Sequence, residues 1–315
     1  MTTPRAAGAW DSEYHAPVLV GEVLQLLGGA RRVLDGTLGG GGHSAALLDA
    51  GASVVGLDRD PAAIAAARER LADAERAGRF QAIRTNYADL DRIAALDGAR
   101  FDGVLLDLGI SSHQIDQLGR GFSFREGAPL DMRMGADAER TAAELLNEED
   151  ERELARIFRE LGDEPRAGRL AREVVRRRTN RPFATSDDLV AAIRGALGAR
   201  TGPGDFARLF QAVRIAVNRE LERLGEALPA LRDRLLPGGV LAVIAYHSGE
   251  DRLVKHLLRE WSVACTCPPR QPVCTCGGTA PGALVTRKAV RASEGEVARN
   301  PRARSAKLRA WRRAW

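Results

Sequence analysis

Four successive glycines, Gly39 to Gly42, stand between a short apolar run ending in Asp35 and a segment of helical character. Glycine lets backbone reverse from strand to helix while approaching a ligand closely, and the first turn of the helix offers unpaired N–H donors. The turn sits inside a regular alternation. Arg31–Leu38, Ser53–Asp58, Phe80–Asn86 and Phe101–Gly109 read as strands, the last with an unbroken apolar centre at Val104, Leu105 and Leu106. Such runs suit strands covered on both faces of a parallel sheet. Between them Pro61–Ala74 reads as a helix, with proline in its first turn and Ala, Arg and Glu after it. The βαβαβ order predicts an α/β fold with an open, doubly wound, Rossmann-like sheet.

The alternation then stops. From about Gly121 to Ala199 the pattern is helical. Thr141 with Glu144 forms a capping box, and Leu154, Ile157, Phe158 and Leu161 recur at helical spacing before Gly162. Arg166–Arg178 carries Leu170 and Val174 on one side and ends in three arginines. Leu189, Val190, Ile193 and Leu197 mark another helix. One long helix is expected from Phe206 through Phe210, Val213, Val217, Leu221 and Leu224 to Leu228. Pro237-Gly238-Gly239 then turns the chain into a buried strand, Val240–Tyr246, and Leu284–Val290 reads as an edge strand. The economical organisation is one α/β domain in two parts, residues 1–120 and 211–315, with an all-helical domain, residues 121–210, inserted after the fourth strand.

The 315 residues suffice for about two domains, and no apolar run reaches the roughly 20 residues a membrane helix needs. Met1 to Asp11 has neither a basic segment nor a long apolar core, so no secretory signal is expected. All four cysteines fall between Cys265 and Cys276, which is no disulfide framework for a chain this long and points to a reducing cytoplasm. Cys265 with Cys267, and Cys274 with Cys276, form two CxC pairs. Four thiolates could bind a structural zinc, although the familiar zinc spacing is CxxC rather than CxC, and no metal is assigned from the spacing. The net charge of +5 is carried almost entirely by arginine. A tail from Arg287 to Arg313 has only Glu294 and Glu296 in opposition, with Trp311 and Trp315 interleaved. Guanidinium groups and aromatic faces suit phosphate contact and base stacking; a solvated tail is the competing reading.

The ligand at the glycine turn is a nucleoside-bearing cofactor on two features. Asp58 ends the second strand, where a carboxylate accepts from both ribose hydroxyls in dinucleotide and S-adenosylmethionine sites alike. The dinucleotide fingerprint is broken, because GxGxxG starting at Gly39 or Gly40 needs glycine where Ser44 or Ala45 stands. Asp35 would repel a pyrophosphate and attract the amino group or sulfonium of S-adenosylmethionine. That cofactor is the one expected.

Further motifs carry a resemblance. His15-Ala16-Pro17-Val18-Leu19, Asp35 through Ser44, Gly56-Leu57-Asp58-Arg59-Asp60-Pro61 and Asp107 through Ser112 run in order with Arg120-Gly121-Phe122-Ser123-Phe124 and Leu130-Asp131-Met132-Arg133-Met134. Phe210 through Leu221, His247 through Lys255 and Asn300 through Arg309 complete the series. The chain resembles the MraW/RsmH-type 16S ribosomal RNA cytosine-N4 methyltransferases over nearly its whole length, and the LDMRM and RGFSF segments are the selective ones. It departs from the family's usual pattern at His113 (usually proline), Tyr246 (phenylalanine), Gly249 (leucine) and Gly162-Asp163-Glu164-Pro165.

The resemblance implies a class I methyltransferase sheet with S-adenosylmethionine held by Gly41, Gly42 and His43, Asp58 on the ribose, Tyr87 beside the adenine, and Asp107 and Gln114 completing the pocket. It also implies a substrate cytidine in the decoding region of 16S rRNA within the small ribosomal subunit. The exocyclic amine of cytosine is a weak nucleophile, and the enzyme must align it and accept a hydrogen bond as charge develops. Asp107, Ser111, His247 and Asp131 are the candidates for that work. Arg133, Arg214, Asn218, Ser248 and Lys255 are the candidates for the RNA. Structural salt bridging is the competing reading for Asp131 and Arg133, a structural hydrogen bond for His247, and a solvent-facing position for Arg214 and Asn218. The basic helix bearing Arg169, Arg172, Arg176, Arg177 and Arg178 would form, with the arginine tail, two electrostatic arms. Competing functions are a dehydrogenase, disfavoured by the broken fingerprint, and a non-catalytic RNA-binding or ribosome-assembly factor. Oligomeric state is not legible.

Overall fold

The computed structural model describes residues 10–11, 16–265, 267–268, 270–273 and 275–315, without the side chains of Ser112 and His113. His15, Cys274 and the His113 side chain therefore lie outside the described residues. The chain divides into two compact units, residues 1–109 with 223–315, and residues 110–222. Residues 110–120 and 211–222 thus group with the inserted segment.

The first unit is built on a seven-stranded sheet. Its strands are β1 (Arg32–Asp35), β2 (Ser53–Asp58), β3 (Phe80–Arg84), β4 (Phe101–Asp107), β5 (Leu235–Ala245), β6 (Gly282–Leu284) and β7 (Lys307–Arg313), in the order β3-β2-β1-β4-β5-β7-β6. The first five in that order are parallel, and β7 runs antiparallel to both β5 and β6. Successive residues of a strand point to opposite faces, and at the centres of β1, β2 and β4 neighbouring positions are apolar and buried. Val33, Val54 and Leu105 join one buried cluster with Val23, Leu27 and Leu47, whereas Leu34, Val55, Val104 and Leu106 join another with Leu228, Leu231 and Leu258. Both faces are covered by helices, which explains why the strand sequences are unbroken rather than alternating.

Three expectations are corrected here. The single long helix is two, Pro203–Asn218 and Glu220–Asp233, because Arg219 takes a left-handed conformation with φ of 50°. The arginine tail is no free arm. Residues Lys307–Arg313 form β7, where Leu308, Ala310 and Trp311 are fully buried. Arg309 and Lys307 reach Asp251 at 2.6 and 3.2 Å, and Arg313 donates to the carbonyls of Asp233 and Leu235. The edge strand expected over Leu284–Val290 lies earlier, at Gly282–Leu284, and shares only Leu284 with that range, while Val290 makes only an isolated bridge to Leu308.

The second unit is helical: Ser112–Asp116, Ala142–Glu148, Glu151–Arg156 with a π-helical turn at Ile157–Leu161, Ala167–Arg178, Ser186–Leu197 and Pro203–Asn218. Their apolar seams meet in one core that includes Leu145, Leu154, Phe158, Leu170, Ile193 and Val213. Thr141 and Glu144 close the expected capping box. The basic helix spends much of its charge internally. Arg176 and Arg177 pair with Glu173 at 2.7 and 2.6 Å, and Arg178 donates to the carbonyls of Leu146 and Glu149. Among the described residues, no helix is long and apolar enough to cross a membrane.

Candidate active site

The carboxyl ends of β1, β2 and β4 each finish in an aspartate, and Tyr246 follows directly on the end of β5. In an open parallel sheet these ends face the ligand crevice. The turn after β1 threads between them: Gly36 N–H donates to Leu105 O and Leu38 N–H to Leu57 O, both at 2.9 Å. No side chain fits at Gly36, where a Cβ would sit 2.5 Å from Leu106 Cδ2. Gly41 has φ of 75°, the left-handed conformation glycine adopts without penalty, and it caps the helix Gly42–Asp49. At Gly42 a Cβ would meet the Pro17 ring at 2.9 Å.

The aspartates differ in what holds them. Asp35 is buried and accepts from Ser44 Oγ at 2.7 Å and from Thr37 N–H at 3.2 Å. Burial pushes its carboxyl up to about 6, against the pull of the Ser44 bond. Asp58 accepts from Gly39 N–H at 2.9 Å and from Asp60 N–H at 2.8 Å. It too is pushed up to about 6 by burial, with the Asp60 amide opposing. Each carboxylate oxygen has a second lone pair, so Asp58 still has acceptor capacity for a diol. Asp107 accepts from Tyr246 Oη at 2.8 Å on Oδ1, while Oδ2 lies 3.6 Å from His43 Nδ1. Burial pushes Asp107 up to about 7; the Tyr246 bond lowers it and nearby Glu250 raises it.

His43 is buried, and burial holds its imidazole below the usual range. Its Nε2 pairs with Val18 O at 2.8 Å, so the neutral ring donates there and turns an unprotonated Nδ1 toward Asp107. Tyr246, pushed far above the ordinary phenol range by burial, stays a donor. Tyr87 opens the turn Tyr87–Arg92, half-buried, and its Cβ would lie 3.3 Å from a Cβ on Gly36, so its backbone passes beside the glycine turn.

His247 takes a structural place. Its Nδ1 accepts from Glu250 N–H at 3.4 Å and caps the helix Ser248–Glu260, and its Nε2 lies 3.2 Å from Glu250 Oε1 without hydrogen-bonding alignment. Glu250, only 2 % exposed, also accepts from Tyr246 N–H at 2.8 Å and so fixes the backbone that carries the Tyr246 hydroxyl. Ser248 begins that helix at the surface, and Lys255 lies half-buried along it.

Within the second unit, Ser111 and Gln114 bond reciprocally: Ser111 N–H donates to Gln114 Oε1 at 3.0 Å, and Gln114 N–H to Ser111 Oγ at 3.2 Å. Asp131 and Arg133 form a two-pronged pair, both bonds at 2.8 Å, and the Arg133 bond holds Asp131 below the usual carboxylate range. Arg214 and Asn218, expected at the RNA, are interior instead. Arg214 pairs with Glu220 through bonds of 2.8 and 3.0 Å. Asn218 donates to Met132 O and Arg214 O and accepts from Met134 N–H at 2.9 Å, so its amide is committed to holding the LDMRM segment. A buried polar side chain needs such partners, and these two have them.

Sequence reasoning passed over Tyr246 and Glu250 as site residues. Tyr246 was visible as the polar end of a buried strand; Glu250 carried no signal, since an acid in the first turn of a helix is ordinary.

Three acids at neighbouring strand ends, none paired to a lysine or arginine in a bond described above, suit a cationic ligand carrying a diol and not a pyrophosphate. The antiparallel β7 inserted beside β5 completes a class I methyltransferase sheet, and fold and site together define an S-adenosylmethionine-dependent methyltransferase. The chain belongs to the MraW methylase family, whose family model matches residues 12–314. It is 63 % identical over 315 residues, the whole of both chains, to "Ribosomal RNA small subunit methyltransferase H" of Gemmatimonas aurantiaca. Proteins of the same name from Anaeromyxobacter sp. and Heliobacterium mobile are 51 % and 48 % identical, each over 94 % of this chain and 96 % and 97 % of their own.

Proposed function

We propose that this chain methylates 16S rRNA of the small ribosomal subunit at the exocyclic N4 amine of a decoding-region cytidine. The coarser part, methylation of ribosomal RNA with S-adenosylmethionine as donor, rests on the family and on the printed names of relatives matched end to end. The finer part rests on the selective segments Leu130–Met134 and Arg120–Phe124 and on one geometric observation: Asp107, with Tyr246 on one oxygen, is an acceptor held near neutrality at the end of β4.

S-adenosylmethionine supplies a methyl group made electrophilic by its sulfonium. The residues of the chain bind and orient. Asp58 accepts from the ribose hydroxyls, Tyr87 flanks the adenine, and Gly41 and Gly42 let backbone close on the ligand without side-chain bulk. Asp35 and Asp107 offset the positive charge. Asp107 also accepts a hydrogen bond from the attacking amine, whose N–H becomes acidic as the N–C bond forms. A carboxylate poised near pH 7 is matched to take that proton and return it to water. Tyr246 sets its orientation through the bond to Oδ1.

The test is to treat small subunits lacking the modification with purified enzyme and labelled donor, then map the methylated base at nucleotide resolution. The expected product is one N4-methylated cytidine in the decoding region. Methyl incorporation at any other atom or region, or donor binding without transfer, rejects the reading.

A further inference from the structure

All the cysteines of the chain lie in the connection between the helix Ser248–Glu260 and β6, and nothing in the methyltransfer chemistry uses them. The connection starts on a buried residue, Trp261, but beyond it none of the described residues up to β6 lies in a helix or strand or is buried: Val263 is 52 % and Val273 70 % exposed. A stretch of this length without such anchors is uncommon inside a compact unit unless something else ties it. The thiols converge. Sγ atoms of Cys265, Cys267 and Cys276 lie within 4.8 Å of one another, and those of Cys265 and Cys276 are 3.8 Å apart. Zinc–thiolate bonds of about 2.3 Å in a tetrahedron set neighbouring sulfurs about 3.8 Å apart. Soft thiolates select zinc over hard cations.

We propose that Cys265, Cys267 and Cys276 bind one zinc ion, which organises this connection. The sequence offers Cys274, two residues before Cys276, as a further candidate ligand. The CxC spacing, which gave no assignment when compared with CxxC, is no obstacle once the chain folds back on itself, because ligands come from both ends of the loop. The metal supplies the ordering free energy that burial does not supply here.

The experiment uses the full chain, purified under reducing conditions without a histidine tag. Metal analysis is expected to give about one zinc per chain. Chelator-stripped, reduced protein is expected to take up one equivalent of cobalt(II) with thiolate charge-transfer absorption, reversed by zinc. A protein that neither co-purifies with zinc nor develops that absorption overturns the proposal, as does a zinc content unchanged in the Cys265→Ser/Cys276→Ser double variant. Trypsin cleavage after Arg270 supplies an independent readout, since this residue is exposed in the same loop. Removing the metal is expected to speed that cut at least roughly tenfold, and an unchanged rate rejects the organising role. Retained donor binding by the double variant shows that its sheet is folded.

Discussion

The Tyr246 hydroxyl donates to Asp107 Oδ1 at 2.8 Å, so the groups ending two neighbouring parallel strands are joined by one hydrogen bond. This bond favours the ionised acid, while burial and Glu250 oppose ionisation, and the balance leaves Asp107 at about 7. An acid so balanced responds to small changes around it.

Tyr246→Phe is therefore expected to fold normally and to raise the Asp107 pKa, because a bond to the ionised form is lost. A hydrogen bond to a charged group is worth about 1.5–3 kcal/mol, or roughly one to two pH units. The acidic limb of the kcat profile should move upward by that order, and the part of the donor's pH dependence that Asp107 contributes should move with it. An unmoved limb removes Asp107 from the reacting centre.

Asp58→Ala removes the acceptor proposed for two ribose hydroxyls. At about 1.5–3 kcal/mol for each charged hydrogen bond, donor affinity should fall by at least roughly a hundredfold. Isothermal titration reads this directly, and affinity near that of the wild type contradicts the assignment. Some loss of thermal stability should accompany it, since Asp58 also holds the amides of Gly39 and Asp60.

Asp35 and Asp58 at about 6 and Asp107 at about 7 all stand above the 3.8 of an exposed aspartate. Between these limits the folded chain holds protons that the unfolded chain has lost, so the stability these acids contribute is full below about pH 4 and is lost as pH rises towards 7. A cationic donor favours their ionised forms. Its affinity should rise from pH 5 to 7, by up to roughly tenfold per unit for each titrating group, and S-adenosylhomocysteine, without the sulfonium charge, should respond less steeply. Equal pH dependence for both ligands would separate these acids from the sulfonium.

Asn218→Ala leaves Met132 O and Met134 N–H without their side-chain partner inside the second unit. Each unsatisfied buried group costs about 1–3 kcal/mol. Hydrogen exchange at the Met134 amide should accelerate by more than roughly tenfold, with the helices of that unit retained. Protection at the wild-type level means that Asn218 does not hold the segment.

Trp311→Ala is expected to cost about 3–5 kcal/mol, the range for emptying a large buried aromatic site. Trp311 is fully buried and meets Trp261 edge-on at 5.7 Å between ring centroids. Chemical denaturation measures the loss. A change below about 1 kcal/mol would restore the reading of residues 307–313 as a solvated tail.

Much of the first unit was legible in the chain. The starts of β2, β3 and β4 fall where the apolar runs begin, because a strand buried on both faces has no alternative to continuous apolar residues. Polyglycine after Asp35, and Asp58 one strand later, were equally plain, since close backbone approach admits only glycine. The tail was misread for a related reason: Leu308 and Ala310 alternate with Lys307 and Arg309, the signature of a strand with an apolar face, and Trp311 fills the core on the other face, but the number of arginines drew attention to charge. Trp311 reports burial there, and Arg309 reports an acid, Asp251, nearly sixty residues away in the chain.

What the sequence determined by itself is local: where strands and helices run, which turn must be glycine, and which acids end strands. Tertiary structure alone decided which polar groups are spent and which remain. Arg214 and Asn218 look like ligands in a linear reading and prove to be interior fasteners, whereas Tyr246 and Glu250 look incidental and prove to tune Asp107. The reason is that a side chain's hydrogen-bonding capacity and pKa depend on what surrounds it in space, and its neighbours there come from distant stretches of the chain.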